Sequence, residues 1–252
     1  MALSQKEQKD LVSRTAIDTL ITEHKIYSGM KIGLGTGSTA MPAVRRLAER
    51  IADGSVRDIK AVATSFQTQL ACEELGIPVF TMNDRAIDGA LDLAIDGADE
   101  IDEHRGLIKG GGAALLREKI VAYNSAEFVI VADESKTLSA GTELGHKFAV
   151  PVEIIPEARV PVVQTMQKLG ATCVLREGVR KAGPVITDNG NMILDCLWTA
   201  PIDWNGADSH DDLEHRINAI VGVVECGFFL QMKEHTIVFV SHADGSVEVR
   251  RP

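Results

Sequence analysis

Between Asp96 and Glu118 the chain places Asp96, Asp99 and Glu100, then Lys109 with the triple glycine Gly110 to Gly112, then Arg117, Glu118 and Lys119. Carboxylates carry protons, a lysine supplies a fixed positive charge, and glycines leave backbone amides bare to an approaching anion. Together they suit a small phosphorylated or hydroxylated anion. A second group lies upstream, where Thr36, Ser38 and Thr39 alternate with glycines in the run Gly33 to Thr39 (GLGTGST). Its hydroxyls and bare amides, at the start of a helix-like pattern, are suited to holding phosphate or sugar oxygens.

Each motif also has a plainer reading. The glycine run misses the dinucleotide fingerprint, because its third glycine would fall at Ser38. Ser38 is not in a nucleophile elbow and has no local base. Lys109 precedes its glycines, whereas a Walker A loop ends in Gly-Lys-Ser/Thr. Asp96, Asp99 and Glu100 lack the fixed spacing of a calcium loop, and Lys109 would compete with a cation, so no metal is expected. The acidic run could be a solvated strand end, but the strand before it is apolar throughout, which places Asp96 where a sheet is covered on both faces. Glu118 has Ala114, Leu115, Val121 and Ala122 as its helical neighbours. A carboxylate rising from such an apolar stripe would have a raised pKa, suited to proton abstraction near neutrality; alone, it could equally be a surface residue in a charged triplet.

The elements that must position these residues follow from periodicity. Gln5 to Ile26 reads as an amphipathic helix, Met30 to Leu34 as a strand, and the apolar spacing after Thr39 as a second helix. Ile59 to Ala63, Phe66 to Leu75 closed by Gly76, and Val79 to Thr81 repeat the strand and helix alternation of a parallel sheet. Ala90 to Ile95 is the next strand, with Asp96 to Asp99 past its carboxyl end, where open parallel sheets place ligands. The glycine triplet then leads into a helix over Ala113 to Asn124, and Phe128 to Ala132 into the polar turn Asp133 to Lys136.

After about Gly145 the order becomes strand, helix, strand, strand, helix, strand, that of a split βαβ domain. Its pieces are Phe148 to Ile154, Glu157 to Leu169, Thr172 to Arg176, Met192 to Cys196, Asp211 to Ile220 and Val223 to Gly227. His210 and His215 are five apart, too far to share a helix face as metal ligands, and Ser209 reads as a helix cap. Thr236 to Ser241 and Val247 to Val249 form a hairpin that returns to the first sheet. The expected domains are 1–145 with 228–252, and 146–227.

Composition narrows the function classes. The 252 residues are 45% hydrophobic and 25% charged, ordinary for a soluble globular protein. A net charge of -10 and a pI near 5.2 argue against nucleic acid or an acidic membrane as partner. Cys72, Cys173, Cys196 and Cys226 form no Cys-x-x-Cys pair, which suits a thiol-reducing cytoplasm. Given the charged start and the lack of a long apolar run, neither a signal peptide nor a membrane span is expected.

Four segments carry a family resemblance: GLGTGST at Gly33 to Thr39, DGADE at Asp96 to Glu100, KGGGAA at Lys109 to Ala114, and REK at Arg117 to Lys119. With ADESK at Ala132 to Lys136, PVEIIP at Pro151 to Pro156, TDNGN at Thr187 to Asn191 and INAI at Ile217 to Ile220, the chain resembles ribose-5-phosphate isomerase of the A type over nearly its whole length. Departures are the longer segments 180–183 and 197–209 and the stretch 82–88. The resemblance implies a Rossmann-like, mostly parallel sheet domain plus a smaller α+β domain of ferredoxin-like, split βαβ order, in a homodimer or homotetramer. It implies interconversion of ribose 5-phosphate and ribulose 5-phosphate without metal or organic cofactor. By position, Glu118 would move the proton between C1 and C2 through a cis-enediolate, with Asp96 and Asp99 handling hydroxyl protons. Lys109 and the amides of Gly110, Gly111 and Gly112 would meet the developing charge. Thr36, Gly37, Ser38, Thr39, Gly97, Ala98 and Lys136 would hold the rest of the phosphosugar. A non-catalytic sugar-phosphate sensor and an acyl or coenzyme A transferase are the alternatives from other classes.

Overall fold

A computed structural model describes residues 2–200 and 210–252. In chain order the elements are α1 Gln5–Thr22, β1 Lys31–Leu34, α2 Gly37–Ala52, β2 Lys60–Ala63, α3 Phe66–Glu74, β3 Val79–Phe80 and β4 Leu91–Asp96. There follow β5 Glu100–Ile101, β6 Leu107–Ile108, α4 Leu115–Tyr123, β7 Ser125–Asp133, β8 Val150–Ile154, α5 Arg159–Lys168, β9 Ala171–Leu175 and β10 Met192–Trp198. The chain ends with α6 His210–Asn218, β11 Val223–Cys226, β12 Phe228–Phe229, β13 Thr236–Ser241 and β14 Val247–Arg250.

By contacts the chain divides into two compact units, 1–98 with 117–137 and 232–252, and 99–116 with 138–231. These limits differ from the expected ones at 145/146 and 227/228. Residues 99–116 fall with the second unit because β5 and β6 pair with each other and β6 pairs with β12, in a three-stranded sheet. β5, β6 and β12 lie outside the strand and helix alternation that marks the equally short β3, so the sequence does not single them out.

The first unit is a seven-stranded sheet in the order β14-β13-β7-β4-β1-β2-β3, parallel except for β14. The C-terminal hairpin does return to this sheet. Ile32 and Leu34, Leu93 and Ile95, Val129 and Val131, and Ile237 and Phe239 share one face and pack with α1 and α2. Alternation sends Gly33, Ala94 and Asp96 to the other face. There α4 comes so close that a Cβ on Gly33 would lie 2.3 Å from Val121 Cγ1 and 2.9 Å from Ala94 Cβ. Only glycine fits that approach. α1 begins in a capping box between Ser4 and Glu7 and ends at Thr22, earlier than expected, as His24 turns to φ +58°.

The second unit carries an antiparallel sheet in the order β11-β8-β10-β9 with α5 and α6. Numbered within the unit this order is 4-1-3-2, that of the ferredoxin-like split βαβ fold. Val150, Val152, Ile154, Leu194, Cys196 and Trp198 form its core with Val162, Met166, Leu213 and Ile217 from the helices. The segment 180–183 lies in a turn closed where Gly178 N donates to Gly183 O at 3.0 Å. The expected Ser209 cap and residues 201–209 of the longer segment lie outside the described residues.

Candidate active site

In the first unit, strands β1 to β3 progress to one side of β1 and β4 lies on the other, so the sheet reverses direction between β1 and β4. Ligands in such sheets bind at the carboxyl ends of the two strands flanking that reversal. Here those ends are Gly35 to Thr39 and Asp96. Gly35 N donates to Ile95 O at 2.8 Å, and Asp96 Oδ1 accepts from Thr36 N at 3.1 Å and Gly97 N at 2.8 Å. Asp96 is 2% exposed, so these amides hold its carboxylate in one orientation where the sheet excludes water.

The loop after β1 is ordered by a cluster of hydroxyls. Thr36 Oγ1 lies 2.8 Å from Thr64 Oγ1 and 2.7 Å from Ser65 Oγ, and Thr68 Oγ1 donates to Gly35 O at 2.7 Å. Thr36 is the N-cap of α2, yet its side chain makes no capping bond to the helix. Gly37 turns at φ +90°, a conformation that strains any side chain, and donates to Gln67 Oε1 at 3.2 Å. Ser38 is exposed and accepts from Lys9 Nζ at 3.0 Å, which brings a positive charge from α1 to the loop. The sequence alone does not single out Lys9, because a lysine within an amphipathic helix is unremarkable.

α4 runs against the strands. Its end lies beside the start of β4, since Leu91 N donates to Asn124 O at 2.8 Å, while Arg117 near its start reaches Ala63 O, the last residue of β2, at 3.4 Å. Glu118, one turn before Val121, is therefore nearer than Val121 to the carboxyl ends of the strands. It sits on the helix that covers the Asp96 face of the sheet and is 5% exposed. Arg117 also stacks over Phe66 at 5.3 Å. Lys136, half-buried, closes a single helical turn directly after β7, capped by Asp133, which accepts from Ser135 N at 3.1 Å. Asp96, Thr36 to Thr39 and Lys136 thus follow the carboxyl ends of three neighbouring parallel strands, β4, β1 and β7.

Asp99 and Lys109 to Gly112 belong to the second unit, which the chain enters at Ala98–Asp99 and leaves at Leu116–Arg117. Asp99 N donates to Ile108 O at 2.8 Å, and Asp99 Oδ2 accepts from Gly111 N at 2.7 Å. A Cβ on Gly111 would lie 2.7 Å from Asp99 Oδ1. Lys109 is 2% exposed, with its ammonium 5.5 Å from the centre of the Phe229 ring. Gly110 turns at φ +101°, and Gly112 is exposed. Glu100, read with the acidic run, is an anchor within its own unit, where its carboxylate accepts from Phe148 N at 2.7 Å and Gly145 N at 3.2 Å. Burial pushes its pKa above the usual glutamate value, and those two amides oppose the shift.

Two supports of this second group have no local signature. Arg176 forks onto Asp195 at 2.9 and 2.5 Å and donates to the carbonyls of Gly110 at 2.9 Å and Gly111 at 3.1 Å. Its partners are 19 and 65 or 66 residues away in sequence. Glu153 is fully buried and gathers Thr187, Asn189 and Asn191 onto Oε1 at 2.8 to 3.0 Å, which explains the polar TDNGN turn as a scaffold.

The family model for ribose 5-phosphate isomerase A (phosphoriboisomerase A) matches residues 60–245. Ribose-5-phosphate isomerase A of Treponema denticola is 53% identical over 246 residues, 98% of this chain and 99% of that protein. The same-named protein of a Synechococcus strain is 44% identical, over 90% of this chain and 92% of its own. Among solved structures, a D-ribose-5-phosphate isomerase in complex with phospho-erythronic acid matches at a TM-score of 0.87 and 37% identity, covering 99% of this chain and all of that one. Ribose 5-phosphate isomerase A from Methanocaldococcus jannaschii matches at 0.85 and 38%, covering 99% of this chain and all of that one.

Proposed function

The chain belongs to the ribose 5-phosphate isomerase A family, and from that premise we propose that it interconverts D-ribose 5-phosphate and D-ribulose 5-phosphate with Glu118 as the base. It is an aldose-ketose isomerase of the non-oxidative pentose phosphate pathway. The observation that carries Glu118 is its burial on α4, over the same sheet face and toward the same strand ends as Asp96.

Isomerisation moves one proton between neighbouring carbons and one between their oxygens. Glu118 takes the proton from C2 of the aldose and returns it to C1 of the cis-enediolate; burial shields it from exchange with bulk water. A base in this role contributes about 10²- to 10⁴-fold. Asp96, fixed by the amides of Thr36 and Gly97, and Asp99, fixed by that of Gly111, serve the hydroxyl protons and the opening of the furanose ring. Lys109 and the amides of Gly110 to Gly112 stabilise the charge on the enediolate oxygens; each well-placed donor contributes on the order of 3 kcal/mol. Thr36 to Thr39, Gly97, Ala98, Lys136 and Lys9 hold the remaining oxygens, and the uncapped start of α2 suits a phosphate. The phosphorylated sugar acid in the solved relative supports a phosphosugar substrate.

No step in this scheme requires a metal or an organic cofactor. Among the described residues no helix is long and apolar enough to cross a membrane, and four cysteines outside any disulfide support a cytoplasmic setting. Assembly as a homodimer or homotetramer agrees with the exposure of Phe66, Leu70 and Ile120. Light scattering that gives a monomer at micromolar concentration would remove that part.

The test of function is to incubate chelator-treated protein with ribose 5-phosphate and follow ketopentose formation. Catalytic conversion is expected. Binding without conversion would favour a sensor, and a requirement for a coenzyme A thioester would favour a transferase.

A further inference from the structure

Cys173 on β9 and Cys196 on β10 are register partners with their sulfurs 3.0 Å apart, and neither has a place in the isomerisation. Arg176 N donates to Ile193 O, and those two residues continue the register one step beyond Leu175 and Leu194, so they sit opposite as a hydrogen-bonded pair. Hydrogen-bonded and open pairs alternate along antiparallel strands. Three steps along, Cys173 and Cys196 fall in an open pair, where Cα atoms approach to about 4.5 Å and side chains are closest. That spacing lies within the range a disulfide spans, about 4.4 to 6.8 Å. β9 is also the edge strand of its sheet, free to adjust by the small movement that bond formation needs. We propose that Cys173 and Cys196 are a reversible disulfide-forming site that staples β9 to β10.

The two thiols have different surroundings. Cys173 is half-buried and reachable, whereas Cys196 is fully buried. The hydrogen bond from Cys196 lowers the pKa of Cys173, and the same bond with burial raises that of Cys196. Cys173 is therefore the attacking sulfur and Cys196 the resolving one. The Cys173 thiolate attacks a low-molecular-weight disulfide such as glutathione disulfide, forming a mixed disulfide and expelling one glutathione thiolate. Cys196 then loses its proton and attacks Cys173 Sγ, expelling the second glutathione. Two protein thiols are oxidised, one glutathione disulfide is reduced to two thiols, and no other reactant is needed. The staple lies beside Asp195, which holds the Arg176 guanidinium, and three residues from Arg176, which donates to the carbonyls of Gly110 and Gly111. It rests on strand geometry alone and stands whether or not Glu118 is the base.

The test uses the reduced full chain incubated with excess glutathione disulfide, quenched with N-ethylmaleimide and digested for mass spectrometry. A Cys173–Cys196 cross-linked peptide is expected, with two of the four thiols lost and both restored by dithiothreitol. Cys196→Ser should stop at a glutathione adduct on Cys173, and Cys173→Ser should leave Cys196 unmodified; circular dichroism verifies that both variants are folded. Absence of the cross-link in the native wild type overturns the proposal. So does its appearance only after unfolding, or cross-linking spread equally over Cys72 and Cys226.

Discussion

Gly35→Ala tests how closely the sheet holds Asp96. A Cβ at Gly35 would lie 2.1 Å from Asp96 Oδ1, 2.2 Å from Cγ and 2.6 Å from Cα. The first distance is about 1.3 Å short of the 3.4 Å at which ordinary van der Waals contact begins. Rotation of the carboxylate cannot relieve the overlap, because Cα belongs to the β4 backbone, which pairs with β1 on one side and β7 on the other. Either the strand ends part by about an ångström or the loop carrying Thr36 lifts away. Overpacking of this kind costs about 1–3 kcal/mol, and a displacement of about 1 Å in a catalytic group costs about 10²-fold in rate. Gly35→Ala is therefore expected to lower kcat/KM by about two orders of magnitude, with a melting temperature several degrees lower and an intact far-UV spectrum. Steady-state kinetics on ribose 5-phosphate with circular dichroism melts would measure both. Wild-type turnover in a folded variant would refute the role given to Asp96 and its loop.

Three further outcomes follow from other parts of the molecule. Lys109→Met, which keeps much of the buried stem but removes the charge, should raise KM and lower kcat together; unchanged kinetics would take Lys109 out of the reaction. Cys72 is fully buried, and burial, with a smaller effect from the Glu73 charge, pushes its pKa up to about 11, so iodoacetamide at pH 8 should modify it only on unfolding. Rapid labelling of Cys72 in native protein would contradict that. Asp18 accepts from Arg46 and Arg50; burial raises its pKa, but the two guanidinium groups outweigh this and hold it below the usual 3.8. A depressed carboxylate stabilises the fold above its unfolded pKa and loses that contribution as pH falls through its folded one. Asp18→Asn should cost about 1 kcal/mol or less at pH 7, given its partial exposure, and progressively less below about pH 4. A denaturation series giving a penalty independent of pH would refute the assignment.

Most of the first sheet is legible in the sequence because its signals are local. β1, the glycine loop and α2 announce themselves by a change of period, and β13 has the limits read for it, Thr236 to Ser241. The apolar neighbours of Glu118 foretell a buried carboxylate, which is what α4 presents. Less is legible where meaning depends on distant partners. β5, β6 and β12 fall outside the strand and helix alternation that reveals the equally short β3, so the grouping of 99–116 with the second unit and the anchoring role of Glu100 stay hidden. Arg176 reads as a charged residue at a strand end until the fold brings Asp195 and two glycine carbonyls to it. Lys9 reads as one of several charges on α1 until the start of α2 presents Ser38.

The role of Glu118 is tested most directly by Glu118→Gln, which keeps the shape of the side chain and removes the proton carrier. Turnover of ribose 5-phosphate should fall by about 10²- to 10⁴-fold, while calorimetric binding of a phosphosugar inhibitor stays within a few-fold of wild type. A folded variant that still isomerises ribose 5-phosphate within a few-fold of the wild-type rate would show that another group moves the proton.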